Sequence, residues 1–167
     1  MSLMKRTQLR SKDVNKLLKK YNLNFSKKDQ VELIEDEFKI ILINKLPSFF
    51  YYNNQLYGHY NNQLVPTLKY LQNNSLLNNS LLKKVIVDMG AVKFIIGGAD
   101  VMRPGIVELE EGINKDDLIV VVDQNNKKPL AVGIALLNSD DMRTATSGKV
   151  IKNIHYVGDQ IWKFEAR

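Results

Sequence analysis

The sequence predicts two domains, a small α+β domain over residues 4–82 and a mostly-β barrel over residues 83–167. Three observations carry this reading. An amphipathic stretch opens the chain and gives way to short β-branched and aromatic runs. An Asn- and Ser-rich segment then interrupts the pattern near residue 80, and the second half is dominated by apolar runs of strand length separated by turn residues. At 167 residues the chain can build one sizeable core or two small ones.

In "SKDVNKLLKKY" Val14, Leu17, Leu18 and Tyr21 recur at helical spacing, which predicts a helix of about three turns with Ser11 as its N-cap and an end at Asn22 or Asn24. "VELIED", "EFKIILINK" and "SFFYY" follow as strands. "YNNQL" occurs at 52–56 and again at 60–64, and Asn-Asn pairs tolerate positive φ, so the duplication reads as hairpin turn chemistry. Pro66 opens a short helix in "PTLKYL" as a first-turn proline. The segment from Gln72 to Ser80 reads as a linker or peripheral helix, and the domain boundary is placed near residue 82.

Beyond the boundary, "KVIVDM" is a strand and "GAVKFIIGG" a short helix closed by Gly97-Gly98. "DLIVVVD" and "LAVGIALLN" are buried strands joined by "QNNKKP", and "DDMRTATSGK" is a turn with a helical segment. "VIKNIHYVGDQIWKF" closes the domain as two strands around Gly158-Asp159, with Trp162 in the second, either packed in the core or stacking a base.

Composition narrows the chemistry. There is no cysteine, which removes disulfides, thiolate metal sites and Cys nucleophiles, and two histidines far apart make a His-rich metal site unexpected. No apolar run approaches the roughly 20 residues that span a bilayer. Met1-Ser2-Leu3 reads as an expression scar ahead of a start at Met4 and no secretory signal follows, so a cytoplasmic protein is expected.

The net charge is +6, carried unevenly. Residues 1–84 hold 14 Lys and Arg against 6 Asp and Glu, whereas residues 85–167 hold 10 against 12. Lys5, Arg6, Arg10, Lys12, Lys16, Lys19 and Lys20 crowd the start with Asp13 the only acid among them. Such a cluster is either a solvated helix face or a surface that attracts phosphate backbone.

"IIGGADVMRPGI", residues 95–106, is the stretch with the most unusual chemistry. It fits neither a P-loop nor a dinucleotide fingerprint, and its glycines end a helix instead of opening one. A C-terminal cap explains one glycine; the second, with Arg103 beside Pro104-Gly105, fits close approach of a sugar-phosphate backbone and a charge for phosphate. The acids Glu108, Glu110, Glu111, Asp116 and Asp117 read as a polar loop. Ser147-Gly148-Lys149 lacks a nucleophile elbow and reads as a basic turn that contacts phosphate through Lys149 and Lys152. No catalytic residues and no cofactor are expected.

Taken together, "VDMGAVKFIIGGADVMRPGI", "GKV" and "NIHYVGDQIW" resemble the PUA domain, an RNA-binding pseudobarrel. With "QLVPTLKYL" upstream, the chain looks like an archaeal relative of the malignant-T-cell-amplified-sequence family, in which an α+β pre-PUA domain precedes the PUA domain. The lysine-rich N-terminal domain and the lack of cysteine fit an archaeal source. The resemblance implies a non-catalytic RNA-binding factor of translation that contacts the acceptor end of tRNA, the small ribosomal subunit or both, in initiation, re-initiation or recycling. A density-regulated-type protein is its implied partner.

Carried onto this sequence, the implied RNA surface comprises Gly97, Gly98, Ala99, Asp100, Val101, Met102 and Arg103, with the turn Gly148-Lys149. Lys93, Lys152, Lys5, Arg6, Arg10 and Lys12 are possible additional contacts. Two other readings stand beside this one. The protein is an accessory RNA-binding subunit for an RNA-modifying enzyme of pseudouridine synthase or tRNA transglycosylase type, or an adaptor whose exposed "SFFYY" strand pairs with a partner's edge.

Overall fold

The computed structural model describes residues 4–54, 61–73 and 81–165. The chain divides into two compact units, the first running to Tyr70 and taking in the residues from Phe164, the second spanning Leu71–Lys163. The first is α+β and the second is a mostly-β pseudobarrel, as the sequence predicts.

The first unit is a five-stranded antiparallel meander in which each strand pairs with the next: β1 (Lys5–Leu9), β2 (Val31–Glu35), β3 (Lys39–Ile43), β4 (Leu46–Asn54) and β5 (Asn61–Pro66). The aliphatic run Ile40, Ile41, Leu42, Ile43 is buried throughout, which marks β3 as a strand covered on both faces. Helix α1 (Ser11–Leu17) supplies buried Val14, and Leu18, buried between it and a 3-10 turn at Lys19–Tyr21, joins it in the core. Tyr21 packs on Phe49 with ring centroids 5.7 Å apart, and Phe49 packs on Tyr70 at 4.9 Å. The Tyr21 hydroxyl donates to the Leu64 carbonyl, so a half-buried aromatic also satisfies its polar tip.

Several local expectations change. The α-helix stops after seven residues and tightens to 3-10, ended by Asn22 in the left-handed region at φ 56°. Ser11 lies inside the helix; Arg10 holds the cap position without a side-chain cap bond. Pro66 closes β5, and helix α2 (Leu68–Asn73) is capped by Thr67, whose hydroxyl accepts the Tyr70 N–H at 3.1 Å. The Asn pairs of the duplicated motif face each other across the ladder, Asn53 opposite Asn62 and Asn54 opposite Asn61, so they extend the strands; residues 55–60 lie outside the described residues. Strand β4 is interior, paired with β3 and β5, and Phe49 and Phe50 are buried. It offers no free edge, which removes the adaptor reading built on "SFFYY". Of the segment Gln72 to Ser80, residues 74–80 lie outside the described residues.

The second unit has six strands in the order β7-β11-β10-β9-β6-β8. They are β6 (Lys83–Val87), β7 (Val101–Met102), β8 (Ile106–Leu109), β9 (Leu118–Asp123), β10 (Pro129–Ala135) and β11 (Lys149–Tyr156). All pairings are antiparallel except β6 with β9. β9 and β10 are buried along their whole length, and Val87, Ile95, Ile119, Val121, Met142 and Ile151 are among the residues that fill the barrel. Gly133 sits at a bulge where a Cβ would stand 2.4 Å from the Ile151 side chain, so the curl of β10 over β11 requires glycine there.

Helices α3 (Met89–Ile95) and α4 (Ser139–Thr144) close the barrel, capped by Asp88 and Asn138. The second strand predicted in "VIKNIHYVGDQIWKF" is instead a short helix, α5 (Gln160–Lys163). Asp159 starts it by accepting the Trp162 N–H at 2.8 Å, and this N-cap outweighs the strand propensity of Ile161 and Trp162. Trp162 is half-buried on that turn.

Candidate nucleic-acid interface

Asp88 begins the site. Its side chain accepts the Ala91 N–H at 2.9 Å and its own N–H donates to the Gly105 carbonyl, fixing the start of α3 against the turn after β7. Helix α3 then ends in a Schellman arrangement. The Gly98 N–H donates to the Ile95 carbonyl and the Ala99 N–H to the Phe94 carbonyl, with Gly98 at φ 96°. Of the two adjacent glycines, Gly98 is the one whose φ demands glycine.

A Cβ on Gly98 would also stand 3.1–3.2 Å from the Tyr156 ring and hydroxyl, so the loop lies directly on β11. Asn153 of β11 holds it there. Its side-chain amide donates to the Ile95 and Ala99 carbonyls, both at 3.0 Å, and its backbone N–H donates to Asp100 Oδ1 at 2.8 Å. The second Asp100 oxygen lies 2.8 Å from Lys149 Nζ. Burial opposes charge on Asp100, but the bonds from Lys149 and Asn153, with the charges of Lys149 and Lys152, hold its carboxyl below the usual aspartate range.

β7 continues from the loop and pairs with β11, Met102 opposite Lys149 and Val101 opposite Ile151. The Arg103 N–H donates to the Gly148 carbonyl at 2.8 Å, with Gly148 at φ 89°, so the glycine-rich loop and the Gly148-Lys149 turn are parts of one surface. The Arg103 side chain turns inward. Nε donates to the Met142 carbonyl and Nη1 to the Ile106 carbonyl, which ties α4 and β8 to the turn. Two of its donors are thereby engaged in holding the site.

Between α3 and these turns lies a cleft of about 550 Å³. Ala99, Asp100, Val101, Met102 and Lys149 line it, with Ile95, Pro104 and Gly105 of the same stretch, and so do Asp88, Gly90, Ala91 and Phe94, which the sequence does not single out. Phe94 is 60% exposed and Met102 49% exposed, an uncommon arrangement for large apolar side chains beside a concave surface. Lys93 stands over the Phe94 ring at 5.1 Å. The volume suits a ligand of small-molecule size. Lys152 lies on β11 and contributes its charge to Asp100.

Lys5, Arg6, Arg10 and Lys12 belong to the first unit, on β1, α1 and the junction between them. Arg6 pairs with Glu32, which Lys45 also reaches, and Arg10 pairs with Asp13. Among the described residues no group of His, Cys, Asp and Glu could hold a metal ion, and no helix is long and apolar enough to cross a membrane.

Comparison with known proteins places these units. The PUA domain family matches residues 83–157, and the family described as "Domain of unknown function (DUF1947)" matches residues 5–74. "Uncharacterized protein MJ1432" of Methanocaldococcus jannaschii is 46% identical over 99% of either chain. "Translation machinery-associated protein 20" of Schizosaccharomyces pombe is 31% identical over 65% of this chain and 60% of its own length. "Malignant T-cell-amplified sequence 1" of Danio rerio is 28% identical over 81% of this chain and 72% of its own. The crystal structure of hypothetical protein PH0734.1 from Pyrococcus horikoshii superposes with a TM-score of 0.78 at 34% identity, covering 97% of this chain and all of that one. The chain belongs to the family in which a DUF1947 domain precedes a PUA domain, an archaeal relation of the malignant T-cell-amplified sequence proteins and translation machinery-associated protein 20.

Proposed function

We propose that this protein is an RNA-binding factor of translation that receives the single-stranded acceptor end of a tRNA in the cleft between α3 and the Gly148-Lys149 turn. The PUA domain and the translation-associated relatives support RNA binding and association with the translation machinery. The observation that carries the finer reading is the exposed Phe94 ring beside a mostly apolar cleft. A base has a π-face to offer such a ring, and single-strand binders gain much of their affinity from that stacking. Lys93 and Lys149 stand where the adjoining phosphates would pass.

In this reading the basic first unit docks on the small ribosomal subunit or on a density-regulated-type partner, through lysines such as Lys5, Lys12, Lys16 and Lys19 that sit exposed on β1, α1 and the turn after it. The protein acts in the cytoplasm by positioning RNA and performs no covalent step itself. Binding of an intact tRNA, compared across a salt series with the same tRNA trimmed of its CCA end, tests the proposal. A large loss on trimming, repeated in Lys149→Glu, supports it. Equal binding of both tRNAs would leave only a sequence-blind electrostatic surface.

A further inference from the structure

We infer that the cleft is built for an uncharged 3′-terminal nucleoside with both ribose hydroxyls free, and that it rejects an RNA ending in a 3′-phosphate. This rests on the reading above that a single-stranded RNA end enters the cleft, and adds which chemical form of that end is taken.

The charges on the cleft wall carry the inference. The ionisable side chains lining it are Asp88, Asp100 and Lys149. Lys149 Nζ already lies 2.8 Å from Asp100 Oδ2, so the only ammonium on the wall is neutralised and Asp88 is left as an excess carboxylate. A terminal phosphate monoester carries nearly two negative charges at neutral pH. On this lining it would meet two carboxylates and one ammonium, itself already paired, with Lys93 and Lys152 outside the lining, against largely apolar walls that screen poorly.

A ribose with free 2′- and 3′-hydroxyls meets the opposite situation. A carboxylate only accepts hydrogen bonds, and a vicinal diol offers two O–H donors. Asp88 Oδ1 accepts the Ala91 N–H, and Oδ2 has no hydrogen bond among the described residues. The base is left for the apolar wall and the Phe94 ring, with Lys93 over that ring at 5.1 Å near the path of the preceding phosphodiester. The acids thus face the end of the chain, and the lysines serve the phosphates that lead to it.

The sign of the effect separates this from plain electrostatics. The protein carries a net charge of +6, so non-specific attraction predicts tighter binding whenever a phosphate is added to the RNA. Recognition by this cleft predicts weaker binding when the phosphate is added at the 3′ end and not when it is added at the 5′ end.

The test uses the full chain and a short hairpin RNA with a single-stranded 3′ tail, prepared with a 3′-hydroxyl, a 3′-phosphate, a 2′,3′-dideoxy terminus or an added 5′-phosphate, and the same hairpin without the tail. The tailed 3′-hydroxyl RNA is expected to bind about tenfold more tightly than its 3′-phosphate form, a difference of about 1.4 kcal/mol. The dideoxy form should be several-fold weaker, and the 5′-phosphate should cost nothing. Asp88→Asn keeps a good helix cap and should shrink the 3′-phosphate penalty. If the tail is needed but the 3′-phosphate binds as well as the hydroxyl, this inference fails and the acceptor-end reading stands. Equal binding of tailed and tail-less hairpins overturns both.

Discussion

The Lys149 ammonium lies 2.8 Å from the Asp100 carboxylate, so a lysine of the proposed RNA surface is already bound to an acid. A phosphate must share or displace that partner. With the lysine side chain about half exposed, the pair adds little stability, on the order of 1 kcal/mol or less. Asp100→Asn keeps an oxygen for the Asn153 N–H while removing the competing charge. Its RNA affinity is expected to rise several-fold at low salt with almost no change in thermal midpoint. Lys149→Ala should lower affinity and reduce the slope of log K against log salt by about one phosphate contact. Unchanged slopes in both variants would take Lys149 out of the interface.

Gly98→Ala should be more damaging than Gly97→Ala. At Gly98 the backbone has φ 96° and a Cβ would press on the Tyr156 ring at 3.1–3.2 Å. At Gly97 the backbone is ordinary and the nearest clash is a carbonyl at 3.3 Å. The expected loss for Gly98→Ala is about 1–2 kcal/mol in urea unfolding, with weaker RNA binding because the loop must leave β11. Equal losses at the two positions would contradict this account.

The fold was legible wherever periodicity and turn chemistry agreed. β9 and β10 announce themselves as apolar runs of strand length, and the α3 cap is visible in Gly97-Gly98. The misses have local causes. Pro66 looks like a first-turn proline, but the Thr67 hydroxyl makes the cap, and that bond depends on Thr67 also reaching the Pro47 carbonyl from a strand far away in sequence. Asp159 converts a strand-like "QIWK" into a helical turn by a single side-chain bond.

At the site, the glycines and Lys149 stood out because glycine pairs and basic turns are rare enough to notice. Arg103 stood out for the same reason, but its guanidinium reaches the carbonyls of Met142 and Ile106, contacts that no spacing encodes. An Arg103 substitution therefore reports on folding as well as on RNA. Phe94 passed as an ordinary apolar helix residue, since only the three-dimensional position of α3 leaves it 60% exposed.

Asn153 did leave a signal. It shares the inward side of β11 with buried Ile151 and His155, where a polar residue calls for an explanation. The explanation is its two amide hydrogens, which satisfy the Ile95 and Ala99 carbonyls, while its own buried side-chain oxygen has no hydrogen-bond partner among the described residues. Asn153→Asp is nearly isosteric yet sets an acceptor against two acceptors. A loss of about 2–3 kcal/mol is expected, with faster hydrogen exchange at the Gly98 and Ala99 amides than at the β9 amides. Uniform acceleration across the barrel would mean that Asn153 supports the fold at large and not this loop.

The turn that follows β11 should make the protein sensitive to acid. Asp159 Oδ2 accepts the Tyr156 N–H at 3.0 Å and lies 2.8 Å from His155 Nδ1, and Oδ1 accepts the Trp162 N–H at 2.8 Å. Burial pushes its pKa up, but the bonds from His155, Trp162 and Tyr156, with the charge of a protonated His155, push it down further, so the carboxyl stays below the usual aspartate range. A group whose pKa is lower folded than unfolded adds stability above its unfolded pKa, near 3.9, and loses it as pH falls through the folded value. The thermal midpoint of the wild type should therefore fall as pH drops below about 4, beyond what the other carboxylates cause. Asp159→Asn retains a cap for Trp162 but has no charge to lose, so it should start less stable at pH 7 and show a shallower decline in acid. Parallel melting curves for the two proteins between pH 6 and pH 2 would show that Asp159 contributes no such linkage.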